Sequence, residues 1–239
     1  MTIDPQDPDW AALAPIRALG PIERVTGGAR CATEAGPLVA IAYARDVFRL
    51  TLGDAGGPDY GILVAAAEPP AVHVERGMDG FVLRAGELRL ALQADPLRLS
   101  LERAGQALLA SSTDAHFRRP RRLPPFARTA DGWLAALGLA SGEAVYGLGE
   151  KWGALNRRGQ LLRSRVEDAL GVNAEASYKS CPFAWSPRGW GLFVHTPGQV
   201  THGVGHPAWS QRSYALAVED HALDLFLFAG EDPAAILER

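Results

Sequence analysis

Between Phe81 and Glu102 apolar side chains return at every second position. The segments are Phe81-Val82-Leu83-Arg84, Leu88-Arg89-Leu90-Ala91-Leu92-Gln93 and Leu97-Arg98-Leu99-Ser100-Leu101-Glu102. A period of two puts the leucines on one face and the polar groups on the other, as a half-buried antiparallel strand requires and a helix forbids. The breaks fall at Ala85-Gly86, Asp95-Pro96 and Ala104-Gly105, where Gly supplies positive φ and Pro cannot donate to a ladder. Strands of about six residues, turning every eight to ten or so, predict a sandwich or barrel and make this half of the chain scaffold.

The flanking sequence fits the same plan. Asp4 to Asp9 reads as a loose start, and Trp10 to Leu19 as a short helix or irregular lead-in. Strand patterning is expected to begin near Val39. Ile41 to Leu52 holds two short apolar runs about a polar break and ends at the turn-forming Gly53-Asp54-Ala55-Gly56-Gly57-Pro58. The alternation fails from Ala110 to Ala130, where His116 to Pro125 is a basic, proline-punctuated loop, read as a solvated connection without a role. Extended structure resumes at Trp133 to Leu139. Gly191 to His195, Tyr214 to Val218 and Leu223 to Phe228 are three further strands, the last apolar enough to be buried on both faces. Asp232 and Pro233 then read as N-cap and first residue of a helix, which the chain is expected to leave unfinished at Arg239.

At 239 residues the chain is long enough for one large β domain. Its formal net charge of −3 implies no basic face, so neither nucleic acid nor an anionic membrane is an expected partner. No run of eighteen apolar residues occurs, and Met1 to Pro8 lacks the basic and apolar regions of a signal peptide, so a cytoplasmic location is expected. Two cysteines, Cys31 and Cys181, are too few for a disulfide framework, and Cys181 is expected to be a buried, inert thiol. Of 24 basic residues only Lys151 and Lys179 are lysines.

Motif density peaks between Tyr146 and His195. Three blocks follow one another: Tyr146-Gly147-Leu148-Gly149-Glu150-Lys151-Trp152-Gly153 with Leu155-Asn156-Arg157-Arg158-Gly159-Gln160, then Tyr178-Lys179-Ser180-Cys181-Pro182-Phe183, then Ser186-Pro187-Arg188-Gly189-Trp190-Gly191-Leu192-Phe193-Val194. In that order they resemble the N-terminal domain of glycoside hydrolase family 31, the family of α-glucosidases and α-xylosidases. The resemblance covers roughly residues 40 to 239. It implies an all-β fold, an antiparallel β-sandwich of the galactose-mutarotase-like type, without the catalytic (β/α)8 barrel. The expected division is a lead-in over 1–38, the sandwich over 39–231, and over 232–239 the start of a linker helix toward that barrel.

The resemblance also implies where chemistry should and should not lie. Retaining glycosidases require a nucleophile and an acid/base carboxylate about 5 Å apart. In the family both are aspartates on the barrel, the nucleophile in a W-x-D-x-N/S-E context, and no such motif occurs here. The catalytic pair is therefore expected outside these residues, and the isolated chain is expected to be inactive. The partners implied are the barrel in cis and a carbohydrate substrate, an α-glucoside or α-xyloside; no cofactor is implied. The stretch from Leu161 to Ser177 shows no clear periodicity, which inside a compact domain marks a functional or disordered loop. In the family this insertion reaches over the mouth of the barrel, and the position matching its substrate-binding carboxylate is Asp168. Arg165-Val166 stand just before it, where an aromatic and Asn are common, so subsite preference should differ.

Several other residues have bland readings beside the sharp ones. Gly147 to Gly153 lacks the Gly-Lys-Ser/Thr ending of a phosphate loop, so its glycines are read as permitting tight turns and close packing. Glu150 and Lys151 fit an ion pair or a capping role better than acid–base work. His202 and His206 are spaced four apart, but the interposed glycines oppose a helix and no third ligand follows, so no metal site is expected. Trp152, Trp185, Trp190 and Trp209 suit sugar stacking or core packing, with packing expected for at least two. Two other functions remain open: a free-standing carbohydrate-binding module, and an aldose mutarotase, which needs a His and a carboxylate such as His195 and Glu219 to meet.

Overall fold

The computed structural model describes residues 3–5, 9–54, 60–63, 69–112, 123–168 and 177–239, and the chain there is built almost wholly of strands. In order they are β1 (Glu23–Val25), β2 (Gly28–Thr33), β3 (Gly36–Ala44), β4 (Val47–Gly53), β5 (His73–Arg76) and β6 (Gly80–Ala85). Next come β7 (Leu88–Gln93), β8 (Arg98–Arg103), β9 (Gln106–Ala110), β10 (Phe126–Arg128), β11 (Trp133–Gly138) and β12 (Tyr146–Gly149). The last six are β13 (Leu161–Ser164), β14 (Ser180–Ser186), β15 (Trp190–Val194), β16 (Val200–Val204), β17 (Ser213–Val218) and β18 (Ala222–Ala229), followed by a helix α1 (Pro233–Leu237).

The leucine alternation forms a meander, β5-β6-β7-β8-β9, and a second five-stranded sheet runs β10-β11-β17-β16-β13. A bridge between Ser111 and Leu137 joins the two edge to edge. An eight-stranded sheet, β1-β2-β3-β4-β18-β15-β14-β12, lies against both, and every pairing in the three sheets is antiparallel. One apolar cluster takes Leu50, Leu52 and Leu225 from the large sheet, Leu83, Leu90 and Leu101 from the meander, and Leu137, Leu216 and Val218 from the other sheet. Burying such side chains contributes about 1.5–3 kcal/mol apiece, which makes this cluster the main source of stability. The fold is the expected all-β sandwich.

Polar residues alternate outward as the period requires. Arg89 and Glu102 face one another across β7 and β8 and pair at 2.8 Å. Leu223, Leu225 and Leu227 of β18 point into the core, and Phe226 on the other face is buried as well, as its continuous apolar run predicts. Asp232 caps α1 by accepting from the Ala235 amide at 2.8 Å, with Pro233 opening the helix.

Three expectations meet a different structure. Strands begin at Glu23, before Val39, and β1 and β2 belong to the large sheet. The stretch from Leu161 starts as strand β13, paired with β16. Cys181 is exposed rather than buried: the pairing of Phe183 with Phe193 sets the parity of β14 and puts Cys181 on the outer face, at the strand's beginning. Trp10–Ala12 is a single 3-10 turn. The arginine-rich stretch of residues 118–122 lies outside the described residues. Among the described residues no helix is long and apolar enough to cross a membrane.

Candidate functional site

The first motif block folds as the edge strand β12 and its exit. Gly147, Leu148 and Gly149 all take positive φ, at 102°, 68° and 72°. A Cβ on Gly147 would stand 2.4 Å from the Phe183 carbonyl oxygen, and one on Gly149 2.3 Å from that of Lys179. Close backbone approach, rather than anion binding, explains the glycines. Beyond them Glu150 faces solvent while Lys151 turns inward, donating to Ser177 Oγ at 3.0 Å and Ser180 Oγ at 2.9 Å. Ser180 Oγ in turn donates to the Arg165 carbonyl at 2.8 Å. Lys151, expected in an ion pair or a cap, thus holds together the two ends of the loop between β13 and β14.

The base of that loop is closed by a parallel bridge between Val166 and Ser177 and by the Glu167 amide donating to the Ser177 carbonyl at 3.0 Å. Asp168 follows, exposed, just beyond the closure. Glu167 pairs with Arg165 at 3.0 Å, which leaves Asp168 as the carboxylate the clamp presents outward. Residues 169–176 lie outside the described residues.

The outer face of the large sheet carries the densest polar constellation. Asp224 on β18 receives Arg49 from β4 in a two-point grip, Nε to Oδ1 at 2.9 Å and Nη2 to Oδ2 at 2.6 Å, and lies 2.8 Å from His195 Nδ1. Among the described residues, buried His195 Nε2 has no hydrogen-bond partner. Phe226, beside this cluster, lies under the Arg49 guanidinium and edge-on to Tyr43. His195 with Glu219, one pairing that a mutarotase could use, does not form: Glu219 accepts from Gln199 Nε2 at 2.6 Å, and the carboxylate beside His195 is Asp224. Asp224 and Arg49 went unnoticed in the sequence, although each is a charge at an alternate position of an apolar strand, Leu223-Asp224-Leu225 and Phe48-Arg49-Leu50.

Glu143, just before the first motif block, is a further residue that the sequence does not mark. Buried, its Oε1 accepts from Ser186 Oγ and Trp190 Nε1, both at 2.8 Å, and its Oε2 from the Ala140 amide at 2.8 Å, so it ties the turn before the first motif block to the third block. His202 is fully buried between Ser164 Oγ and Tyr214 Oη, each at 2.8 Å. Burial, with the nearby Lys151 charge, lowers its pKa to about 3, so the ring is neutral. His206 only accepts from the Ala208 amide in a turn. Trp190 and Trp209 pack in the interior, Trp185 lies against Tyr146, and Trp152 is exposed. Among the described residues no group of three or more His, Cys, Asp or Glu converges to hold a metal.

Where β13 and β14 part, a cleft of about 590 Å³ opens on the outer side of the large sheet. Ser164, Ser180, Phe193, Thr196, Gln199 and Glu219 give it its polar and aromatic surfaces. Loop clamp and cleft therefore share one wall, Arg165 and Val166.

Two packed layers of antiparallel strands, with a clamped loop and a cleft at the seam, define a β-sandwich domain of the galactose-mutarotase-like class. Residues 37–202 match the family described as the glycosyl hydrolase 31 N-terminal galactose mutarotase-like domain, and the chain belongs to that family. An α-xylosidase of Emericella nidulans is 37% identical over 106 residues, 44% of this chain and 13% of that protein. The α-xylosidase XylQ of Lactiplantibacillus pentosus is 26% identical over 175 residues, 71% of this chain and 22% of that protein. The chain thus spans less than a quarter of either relative. Among solved structures, a family 31 dextranase of Flavobacterium johnsoniae, described as complexed with isomaltotriose, superposes with a TM-score of 0.73 at 19% identity, covering 95% of this chain and 27% of the other. A family 31 α-xylosidase from a soil metagenome, complexed with xylose, gives 0.71 at 16% identity over 91% of this chain and 33% of the other.

Proposed function

We propose that this domain works as the N-terminal sandwich of a retaining α-glycosidase, supporting a catalytic barrel on the same polypeptide and lending the Asp168 loop to the rim of its active site. The observation that carries this reading is the family match over 37–202, joined to relatives several times longer than the chain. The sandwich supplies rigidity, and the clamp at Lys151 fixes where the loop leaves it. An exposed carboxylate there suits sugar recognition, because it accepts hydrogen bonds from hydroxyls and charge-assisted bonds are about twice as strong as neutral ones. The substrate class is an α-xyloside or α-glucoside, and the two catalytic carboxylates belong to the barrel.

The test is to isolate the polypeptide made by the native gene and assay it, beside the 239-residue chain, on aryl α-xylosides and α-glucosides. A product several times larger that hydrolyses one of them, with no turnover by the short chain, is the expected result. Turnover by the short chain, or a long product inactive on both, would overturn it.

A further inference from the structure

We infer that the cleft between β13, β14 and the β15–β16 turn is a second carbohydrate site on this domain, one that takes a neutral saccharide and uses Glu219 and Gln199 rather than the loop carboxylate. The inference rests on the reading of the domain as part of a glycosidase, and assigns to it a surface which that reading does not use.

Size, charge and shape agree on the ligand. A volume of about 590 Å³ falls within the range of sites that enclose small organic ligands. The lining holds two charged side chains: Arg165, paired with Glu167 at 3.0 Å, and Glu219, which accepts from the neutral Gln199 amide at 2.6 Å. An anion would have to displace Glu167 from Arg165, whereas a neutral ligand leaves both contacts in place. The Glu219 carboxylate and Gln199 amide set an acceptor beside a donor, the combination that adjacent hydroxyls of a sugar satisfy together.

The opposite wall is held ready in the same sense. Ser180 Oγ, on that wall, already accepts from Lys151 at 2.9 Å and donates to the Arg165 carbonyl at 2.8 Å, so the wall is braced and needs no reordering on binding. Phe193, half-buried on the outer face of β15, offers an apolar surface of the kind that packs on the C–H face of a pyranose. An amide–carboxylate pair and an aromatic face lining one cleft are elements of saccharide recognition.

The experiment is a titration of the isotope-labelled 239-residue chain with isomaltotriose and, separately, D-xylose, followed by amide chemical shifts. Saturable shifts at Phe193, Thr196, Gln199 and Glu219 are expected, with a dissociation constant on the order of 1 mM, as suits an open site. Glu219→Ala, a change at an exposed position, should weaken binding by about tenfold while leaving the spectrum of the fold intact. Phe193→Leu, which keeps bulk but removes the ring, should do the same. No shifts at the cleft with either sugar, or shifts confined to Glu167 and Asp168, would overturn the assignment. Either failure would leave the glycosidase reading standing, since that is decided by turnover of the longer polypeptide.

Discussion

The carboxylate of Asp224 lies 2.8 Å from His195 Nδ1 while it holds the Arg49 guanidinium at two points, so one acid joins β18 to β4 and to the residue that follows β15 on the outer face of the large sheet. Asp224→Asn keeps the shape and removes the charge. Since it leaves a half-buried guanidinium without its anion, the variant should lose about 3 kcal/mol of stability. Urea unfolding measures this, and an unchanged midpoint would show that the cluster is not cooperative.

His202 makes the fold sensitive to acid. Its folded pKa, about 3, lies below the ordinary value of 6.5, so the unfolded chain takes up a proton that the folded chain refuses. The contribution is full above the unfolded value and is lost as pH falls toward the folded one, costing up to about 1.4 kcal/mol per pH unit. Unfolding free energies from pH 7 to pH 4 or so should fall with that added slope, and His202→Gln should flatten it.

Lys151→Met removes two donations, to Ser177 and Ser180, without removing bulk. Amide hydrogen exchange at residues 165–168 and 177–180 should quicken at least about tenfold while the meander keeps its protection. Equal exchange in both proteins would mean the Val166–Ser177 bridge closes the loop unaided.

Gly191→Ala should dislodge α1. The added Cβ would lie 2.8 Å from Ile236 Cγ2 and 3.2 Å from Phe228 Cβ, and neither can retreat into open space. A cost of about 1–3 kcal/mol is expected, together with faster proteolysis after Gly230. Wild-type resistance to cleavage would show that the helix can slide.

On the proposed reading, Asp168→Ala in a polypeptide that joins this domain to a catalytic barrel should lower kcat/KM by about tenfold or more and leave the melting temperature unchanged, because the side chain is exposed. Unchanged kinetics would remove Asp168 from the site.

Where large side chains alternate, as from Phe81 to Glu102, the fold could be read residue by residue. Strand β2 escaped because its inward positions, Ala29 and Cys31, are small and flank an arginine, which leaves hardly any hydrophobic contrast. Strand β13 escaped because its inward Ser164 is polar, and only the distant His202 makes that position tolerable. The same limit applies to the sites. Asp168 is singled out only by what the resemblance implies, whereas the Asp224 cluster and the cleft bring together residues from separate strands, and no local spacing announces such a meeting.

The two free ends of the large sheet bear on how the chain behaves at high concentration. At one, β1 has three residues and exposes Glu23 and Arg24; at the other, β12 has four and is thrown out of register by its consecutive left-handed residues. An extended, flat strand at either border would template another chain, and a short charged one or a twisted one does not. Eight strands of sheet can therefore be carried without inviting stacking into fibrils, and replacements that flatten the Gly147–Gly149 twist are the ones that should first bring turbidity.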